Sequence, residues 1–383
     1  MKPNGRKRRA PAPWFALAAG AALAPAIFLP AAPMARAAYR FADFSGRPPI
    51  HVLRFAGSAP AGLSPAQIKK FYHLPRTGGR GTIAIIGAYD APHIERDLAV
   101  FDNAFHLPPC TAGNKCFEEH KMSPRLRADA GWSLEASLDV EWAHAIAPRA
   151  KILFIEAATQ SGPNLLAAID YAVSRKDVVA VSMSWGGAEF PGEASLDSHF
   201  KARPGLAFFA ASGDSGAGVQ WPAASPLVVA VGGTSFSLAK NGKLLSESAW
   251  QGSGGGASAY EAEPGYQRSF GIPRAGGRRA VPDVSYDADP RSGYAVFRSA
   301  ADPKRGWYVV GGTSAGAPQW AAIHALGHSV FLPKLYADKA SRAGRRFFRD
   351  IVRGANGTCG YYCDARARYD YVTGLGSPHT DRF

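Results

Sequence analysis

The sequence predicts a doubly wound α/β fold with a mainly parallel sheet flanked by helices. Three observations carry that expectation: apolar runs recur from residue 82 onward, most are continuous rather than alternating, and helical patterns separate them. Continuous apolar runs suit strands covered on both faces, as parallel strands are. The strand candidates are residues 82–86, 151–156, 178–183, 206–211, 227–231 and 308–310, and the helical candidates are 94–105, 133–146, 164–174 and 317–327. Strands alternating with helices specify the doubly wound arrangement, in which ligands gather beyond the carboxyl ends of the strands.

The chain has 383 residues, of which 46% are hydrophobic and 19% charged, enough for a substantial core. A disordered tail and a small disulfide-stapled module are thereby excluded. The 42 glycines and 29 prolines follow no short repeat and read as turn chemistry.

Residues 1–37 are set apart from the fold. A basic start (Lys2, Arg6, Lys7, Arg8, Arg9), an apolar run over 14–29 broken by Pro25, and the small residues around Arg36 read as a cleavable secretory signal peptide. The run is short for a membrane span, and no other stretch approaches one. The expectation is a secreted protein, extracellular or periplasmic, with no stable membrane anchor after cleavage. Losing the six basic residues of this segment takes the formal net charge from +14 to +8. The remaining basic residues are scattered and no nucleic-acid motif accompanies them, so no nucleic-acid partner is expected.

Residues 38–61 form a short lead-in with several prolines and no convincing core pattern. Cys110 with Cys116, and Cys359 with Cys363, fall in two close pairs. In an exported chain this spacing reads as two local disulfides; zinc is the competing reading, but neither pair has a His arranged as a second half-site. The glycine-rich segment 251–266 is expected to be irregular. No Lys-Ser/Thr ending follows it, so it reads as permissive backbone near a substrate or another strand rather than as a phosphate loop.

The sharpest chemical signal is Gly311-Gly312-Thr313-Ser314-Ala315-Gly316-Ala317-Pro318, between a strand and a helix. A serine on such a turn is exposed for attack, and its N–H can help bind an oxyanion; a helix cap is the plainer alternative. A nucleophilic serine needs a base, yet no His lies in a setting that would signal a His-dependent subtilisin. Glu135 and Asp139 stand at i and i+4 in the 133–146 helix, about 40° apart, and adjoin the apolar stripe Leu134, Leu138 and Trp142. His144 falls about 180° from Glu135. Two acids at a half-buried edge repel, and desolvation raises at least one pKa; an ordinary surface pair is the alternative. Asp214 follows the 206–211 strand and could face the serine turn, or serve as a turn residue bonding its own backbone.

Together, Glu135-Ala-Ser-Leu-Asp139, Ser212-Gly213-Asp214-Ser215-Gly216 and Gly312-Thr313-Ser314-Ala-Gly-Ala-Pro318 resemble the sedolisins, the serine-carboxyl peptidases with a subtilisin-like fold. Agreement extends to Ser184-Trp185-Gly186, 254–258, 281–285 and 373–378, in the family's order from about residue 62 onward. The resemblance implies that residues 62–383 form the peptidase domain. It assigns Ser314 as nucleophile, Glu135 as general base, Asp139 as the acid that orients it, and Asp214 as an oxyanion donor beside the Ser314 N–H. A Glu base and a protonated Asp donor both imply hydrolysis of polypeptides in acid through an acyl-enzyme.

The resemblance also implies that Ser184, Trp185 and Gly186 line the substrate, with Trp185 shaping a side-chain pocket. It further implies one Ca²⁺ site built from Asp350, Ile351, Arg366, Arg368 and Asp370, although Arg366 and Arg368 stand where the family commonly has glycine. Sedolisins usually carry a long prodomain, whereas 24 residues separate the signal from Gly62; either this member folds without one, or a prodomain acts in trans as a further partner, or the start of the gene has been lost. A monomer is expected. The competing function is a catalytically silent secreted protein of the same fold that binds peptides.

Overall fold

The computed structural model describes residues 1, 41–201, 203–299 and 306–380. Apart from Met1, the expected signal peptide, residues 1–37, lies outside the described residues. Among these, no helix is long and apolar enough to cross a membrane.

Along the chain, β1 (His51–Gly57) precedes α1 (Pro65–Phe71), β2 (Thr82–Ala88), α2 (Ile94–Phe105), β3 (Phe117–Lys121), α3 (Ala130–Ile146), β4 (Lys151–Ala157), α4 (Gly162–Ser174) and β5 (Val178–Met183). Next come β6 (Gly187–Ala188), β7 (Ala207–Ala211), β8 (Gln220–Trp221), β9 (Val229–Leu238), β10 (Leu244–Ala249), β11 (Gly256–Ala262), α5 (Gly265–Phe270) and β12 (Arg278–Val281). The chain continues with β13 (Val284–Asp287), β14 (Tyr294–Phe297), β15 (Trp307–Gly311), α6 (Gly316–Ala325), α7 (Leu332–Ala340), β16 (Phe348–Arg349) and β17 (Ser377–Pro378).

The main sheet runs in the order β10-β9-β7-β5-β2-β4-β3, with β13 also pairing β9. All its pairings are parallel except β10 with β9. The expected α/β architecture is therefore present, and its physical basis is plain in β2 and β7, where every residue is buried. One helix layer holds α3 and α6, packed on each other, on β2 and on β5. The other holds α4, against β2, β4 and β5.

Four expectations need correction. The 308–310 strand is not a member of the parallel sheet: β15 is the middle strand of a three-stranded antiparallel sheet with β1 and β14. A three-residue apolar run carries no information about which sheet it joins. The lead-in is also structured, because β1 finds its partner more than 250 residues away in sequence, and Phe44 is fully buried. It belongs to the same compact unit as the rest of Tyr39–Phe383. The glycine-rich segment is irregular only at its start, passing into β11 and α5. Finally, α3 has no half-exposed edge. From Leu134 to Ile146 it is buried on all sides, between α2, α6, β2 and β14. Asp129 caps it, accepting from the Gly131 and Trp132 N–H groups at 3.0 and 3.1 Å.

Both cysteine pairs are joined as expected, Cys110 to Cys116 and Cys359 to Cys363.

Candidate active site

Three strand ends and one buried helix bring the expected acids to the serine. β5 stops at Met183, so Ser184-Trp185-Gly186 leaves the sheet at its carboxyl edge. β7 stops at Ala211 and hands the chain to Ser212-Gly213-Asp214. β15 stops at Gly311, and a single 3-10 turn, Thr313–Ala315, leads Ser314 into α6. Gly312 makes that turn at φ +128, and a Cβ there would sit 2.5 Å from Asp214 Oδ2 and 2.1 Å from the Pro49 carbonyl oxygen. No side chain fits.

Glu135 and Asp139 face the same side of α3 and are both buried. Desolvation is the main cause holding Glu135 above the usual carboxyl range, and the neighbouring Asp139 charge adds to it. The Ser314 hydroxyl is the neighbour that draws Glu135 back down. Neither Glu135 oxygen nor Ser314 Oγ completes a hydrogen bond of regular geometry. The two groups are near but not aligned. Asp139 is likewise raised by burial, and the Ser184 hydroxyl opposes that shift. Ser184 Oγ donates to Asp139 Oδ1 at 2.7 Å and lies 3.3 Å from the Ser314 carbonyl oxygen.

Asp214 is fixed from one side. Its Oδ1 accepts from the Thr313 N–H at 2.8 Å and the Thr313 hydroxyl at 2.7 Å, while Thr313 Oγ1 accepts from the Gly213 N–H at 3.1 Å. Its Oδ2 lies 3.2 Å from His51 Nε2, a charge contact without regular hydrogen-bond alignment. Burial raises the Asp214 pKa, and His51 and Thr313 pull against it. His144, expected on the far face of α3, is there: its Nε2 meets the Pro108 carbonyl oxygen at 2.8 Å, away from Asp139 and Ser314.

Of the expected substrate-lining residues, Trp185 is fully buried beside Trp221, with ring centroids 6.0 Å apart. Gly186 presents its backbone to Arg47, with N–H···O distances of 2.9 and 3.1 Å in the two directions. Three contacts are invisible to motif reading: Thr313 holding Asp214, Ser184 holding Asp139, and His51 reaching the site from the lead-in. The Thr313 position directly before Ser314 was the available signal for the first. The pair Pro48-Pro49, which imposes an extended path, was the signal for the last.

The residues expected to hold calcium do not form a free oxygen cage. Lys339 places its ammonium 2.7 Å from Asp350 Oδ1 and 2.7 Å from the Leu375 carbonyl oxygen. The Arg368 N–H also donates to Asp350, with Arg368 at φ +79. Asp370 accepts from the N–H groups of Arg366, Val372 and Thr373 and from the Thr373 hydroxyl. Ile351 packs in a small apolar cluster with Ala249, Ala365 and Val372. A cation already sits on Asp350, so a divalent ion does not fit without displacing Lys339. A separate acidic group, Asp90, Glu119 and Glu156, is likewise bridged by Lys121, 2.5 Å from Asp90.

The subtilase family model matches residues 130–343, which contain Glu135, Asp139, Asp214 and Ser314. The chain belongs to the subtilase family. Within that family this subtilase stands with the sedolisins. It is 32% identical over 368 residues to kumamolisin of Bacillus sp. (strain MN-32), covering 85% of this chain and 63% of that protein. It is 28% identical to sedolisin of Pseudomonas sp. (strain 101), covering 84% of this chain and 60% of that protein. It therefore spans about three-fifths of the length of these curated relatives. Among solved structures, Pseudomonas sedolisin, a serine-carboxyl proteinase complexed with two molecules of pseudo-iodotyrostatin, superposes with a TM-score of 0.69. That match has 25% identity over 84% of this subtilase and 97% of the solved chain.

Proposed function

We propose that this subtilase is a secreted serine-carboxyl endopeptidase that hydrolyses polypeptides in acid. Ser314 is the nucleophile, Glu135 the base, Asp139 the acid that positions Glu135, and Asp214 the oxyanion donor with the Ser314 N–H. The observation that carries this reading is the convergence of Glu135 on the Ser314 hydroxyl within a buried acid pair.

In the reaction, Ser314 Oγ attacks the scissile carbonyl carbon and its proton passes to Glu135. The carbonyl oxygen becomes an oxyanion, to which a protonated Asp214 donates. The C–N bond then breaks, and the leaving amine takes the proton from Glu135. Water hydrolyses the resulting ester by the same steps in reverse order. Burial keeps the Glu135–Asp139 pair and Asp214 protonated to higher pH than free carboxyls, and the Asp139 charge adds to the shift of Glu135. The reaction needs one proton on the acid pair, leaving its other site ionised to act as base, and one proton on Asp214.

Residues 62–383 are assigned to the peptidase domain, residues 1–37 to export, and the working form to a monomer. Calcium enters no step. The test is cleavage of a denatured protein by the chain and by Ser314→Ala, from about pH 3 to about pH 8, spanning carboxyl and His titration. Acid-restricted cleavage absent from Ser314→Ala supports the reading. A folded chain that cuts nothing at any pH overturns it in favour of a peptide-binding protein.

A further inference from the structure

The fold brings further metal-binding side chains to one of the two cysteine pairs. Cys110 follows α2, and Cys116 stands directly before β3. Their sulfurs and a ring nitrogen of His144, near the end of α3, all lie within 4.8 Å of one another. The His that the cysteine spacing does not reveal thus comes from a helix elsewhere in the chain. A fourth donor stands beside it: Asp102, in the last turn of α2, places Oδ1 3.4 Å from His144 Nε2. Its Oδ2 accepts from the Cys110 N–H at 3.1 Å, so the same carboxyl is already fastened to the cysteine loop. Asp102 is 2% exposed and His144 fully buried, yet Asp102 Oδ1 and His144 Nδ1 complete no hydrogen bond of regular geometry. Buried polar atoms without a partner are uncommon in a packed interior, and both of these are of the kind that bind metal. Burial pushes the pKa of His144 down to about 4, so its imidazole is neutral, the form that coordinates an ion.

We propose that the dithiol form of Cys110 and Cys116, together with His144 and Asp102, is a binding site for one divalent cation of the zinc class. Two thiolates, one imidazole and one carboxylate suit a tetrahedral zinc ion, whereas calcium and magnesium call for oxygen throughout. The disulfide and the metal exclude each other, because the sulfurs are bonded in one form and must part to hold an ion in the other. Any chain passes through the dithiol form before an oxidant joins its cysteines, and a reductant restores it. A phosphine gives two electrons to the S–S bond and leaves as its oxide, with water supplying that oxygen and the two thiol protons. The ion then displaces both thiol protons to solvent. Residues 112–115, between the cysteines, are exposed and leave the loop room to open as the sulfurs separate. A surface cleft of about 510 Å³, with Glu95, Lys115, Glu118 and Arg175 among its walls, reaches Cys116 and gives the ion a way in. Among the described residues, the other pair, Cys359 and Cys363, belongs to no such group. The site stands apart from the peptidase reading, since it needs neither Ser314 nor the Glu135–Asp139 pair.

The test titrates Co²⁺ into the full chain, reduced with a phosphine near neutral pH, and follows the visible bands of tetrahedral cobalt together with thiolate-to-cobalt charge transfer. The expected result is one Co²⁺ per chain, displaced by Zn²⁺, with no such bands in the chain left oxidised. Cys116→Ser should weaken binding more than about a hundredfold, beyond what loss of a group that only supports a ligand costs. His144→Gln and Asp102→Asn should each weaken it at least about tenfold. Should the buried His144→Gln variant fail to fold, the His144 ring resonances of the reduced wild type carry the same test, since Zn²⁺ must shift them. A reduced chain that stays folded and shows no thiolate–cobalt band overturns the proposal. So does a chain that unfolds on reduction with the metal present, because the site needs α2 and α3 in place. Bands that survive unchanged in Cys116→Ser, or His144 resonances that Zn²⁺ leaves unmoved, overturn it as well.

Discussion

Ser184 Oγ donates to Asp139 Oδ1 at 2.7 Å, tying the end of β5 to the buried acid pair of α3. The hydroxyl opposes the burial that raises Asp139 and so tunes how the acid pair shares its proton. Ser184→Ala should lower kcat roughly ten- to hundredfold, the range of one hydrogen bond to a charged group. Because Asp139 then holds its proton more tightly, the pH dependence of kcat should move as well. A fall in kcat with an unmoved profile would assign Ser184 to packing alone.

Asp214 has a different signature. Asp214→Ala removes the proposed donor and should cost roughly a hundred- to thousandfold in kcat, as loss of one oxyanion donor does elsewhere. Asp214→Asn keeps a donor that does not titrate, so it should lose less. Steady-state kinetics on both variants in acid decide this, and an Asn variant no better than Ala would speak against donation by Asp214.

Much of this arrangement was legible in the sequence. Continuous apolar runs such as 82–86 and 178–183 specify buried parallel strands, and the i, i+4 spacing of Glu135 and Asp139 puts them on one face. What the sequence does not carry is the depth of α3, since burial of its second side depends on α2 and β14 arriving from elsewhere in the chain. Nor does it carry the position of β1, whose Val52, Leu53 and Phe55 stay exposed and so leave no core pattern to find. The calcium expectation failed to anticipate Lys339, which comes from α7, well before Asp350 in its motif, and reaches Asp350 only in the folded chain.

Lys339 leads to a prediction about metal removal. Its ammonium already neutralises Asp350 and satisfies the Leu375 carbonyl. A chelator should leave the melting temperature unchanged, whereas Lys339→Met should destabilise by about 1–3 kcal/mol through an unsatisfied buried carbonyl and a lost charge contact. A chelator-induced drop in the wild-type melting temperature would show that a divalent ion displaces Lys339.

Stability should also depend on pH through α3. Burial raises the pKa of Glu135, Asp139 and Glu141, the last of which accepts from the Phe297 N–H. A raised folded-state pKa favours the protonated native state, so this stability is present in acid and is lost as pH rises through the folded-state values. His144 acts in the opposite sense: burial pushes its pKa down to about 4, so its contribution is lost as pH falls from the ordinary His range toward that value. Glu141→Gln removes one titrating acid and should flatten the decline between acid and neutral pH in thermal melts. An identical slope in wild type and variant would mean that Glu141 does not titrate between the two states.

The most direct test of the central claim, that a glutamate rather than a histidine is the base, is the pH dependence of kcat/KM for wild type and Glu135→Gln on one peptide substrate. The account predicts a wild-type maximum in acid, fading by about pH 7 where His would take over, and a loss of at least roughly a thousandfold in the variant, consistent with removal of a group that acts as a unit with Ser314. A maximum above neutrality, or a Glu135→Gln enzyme close to wild type, would contradict it.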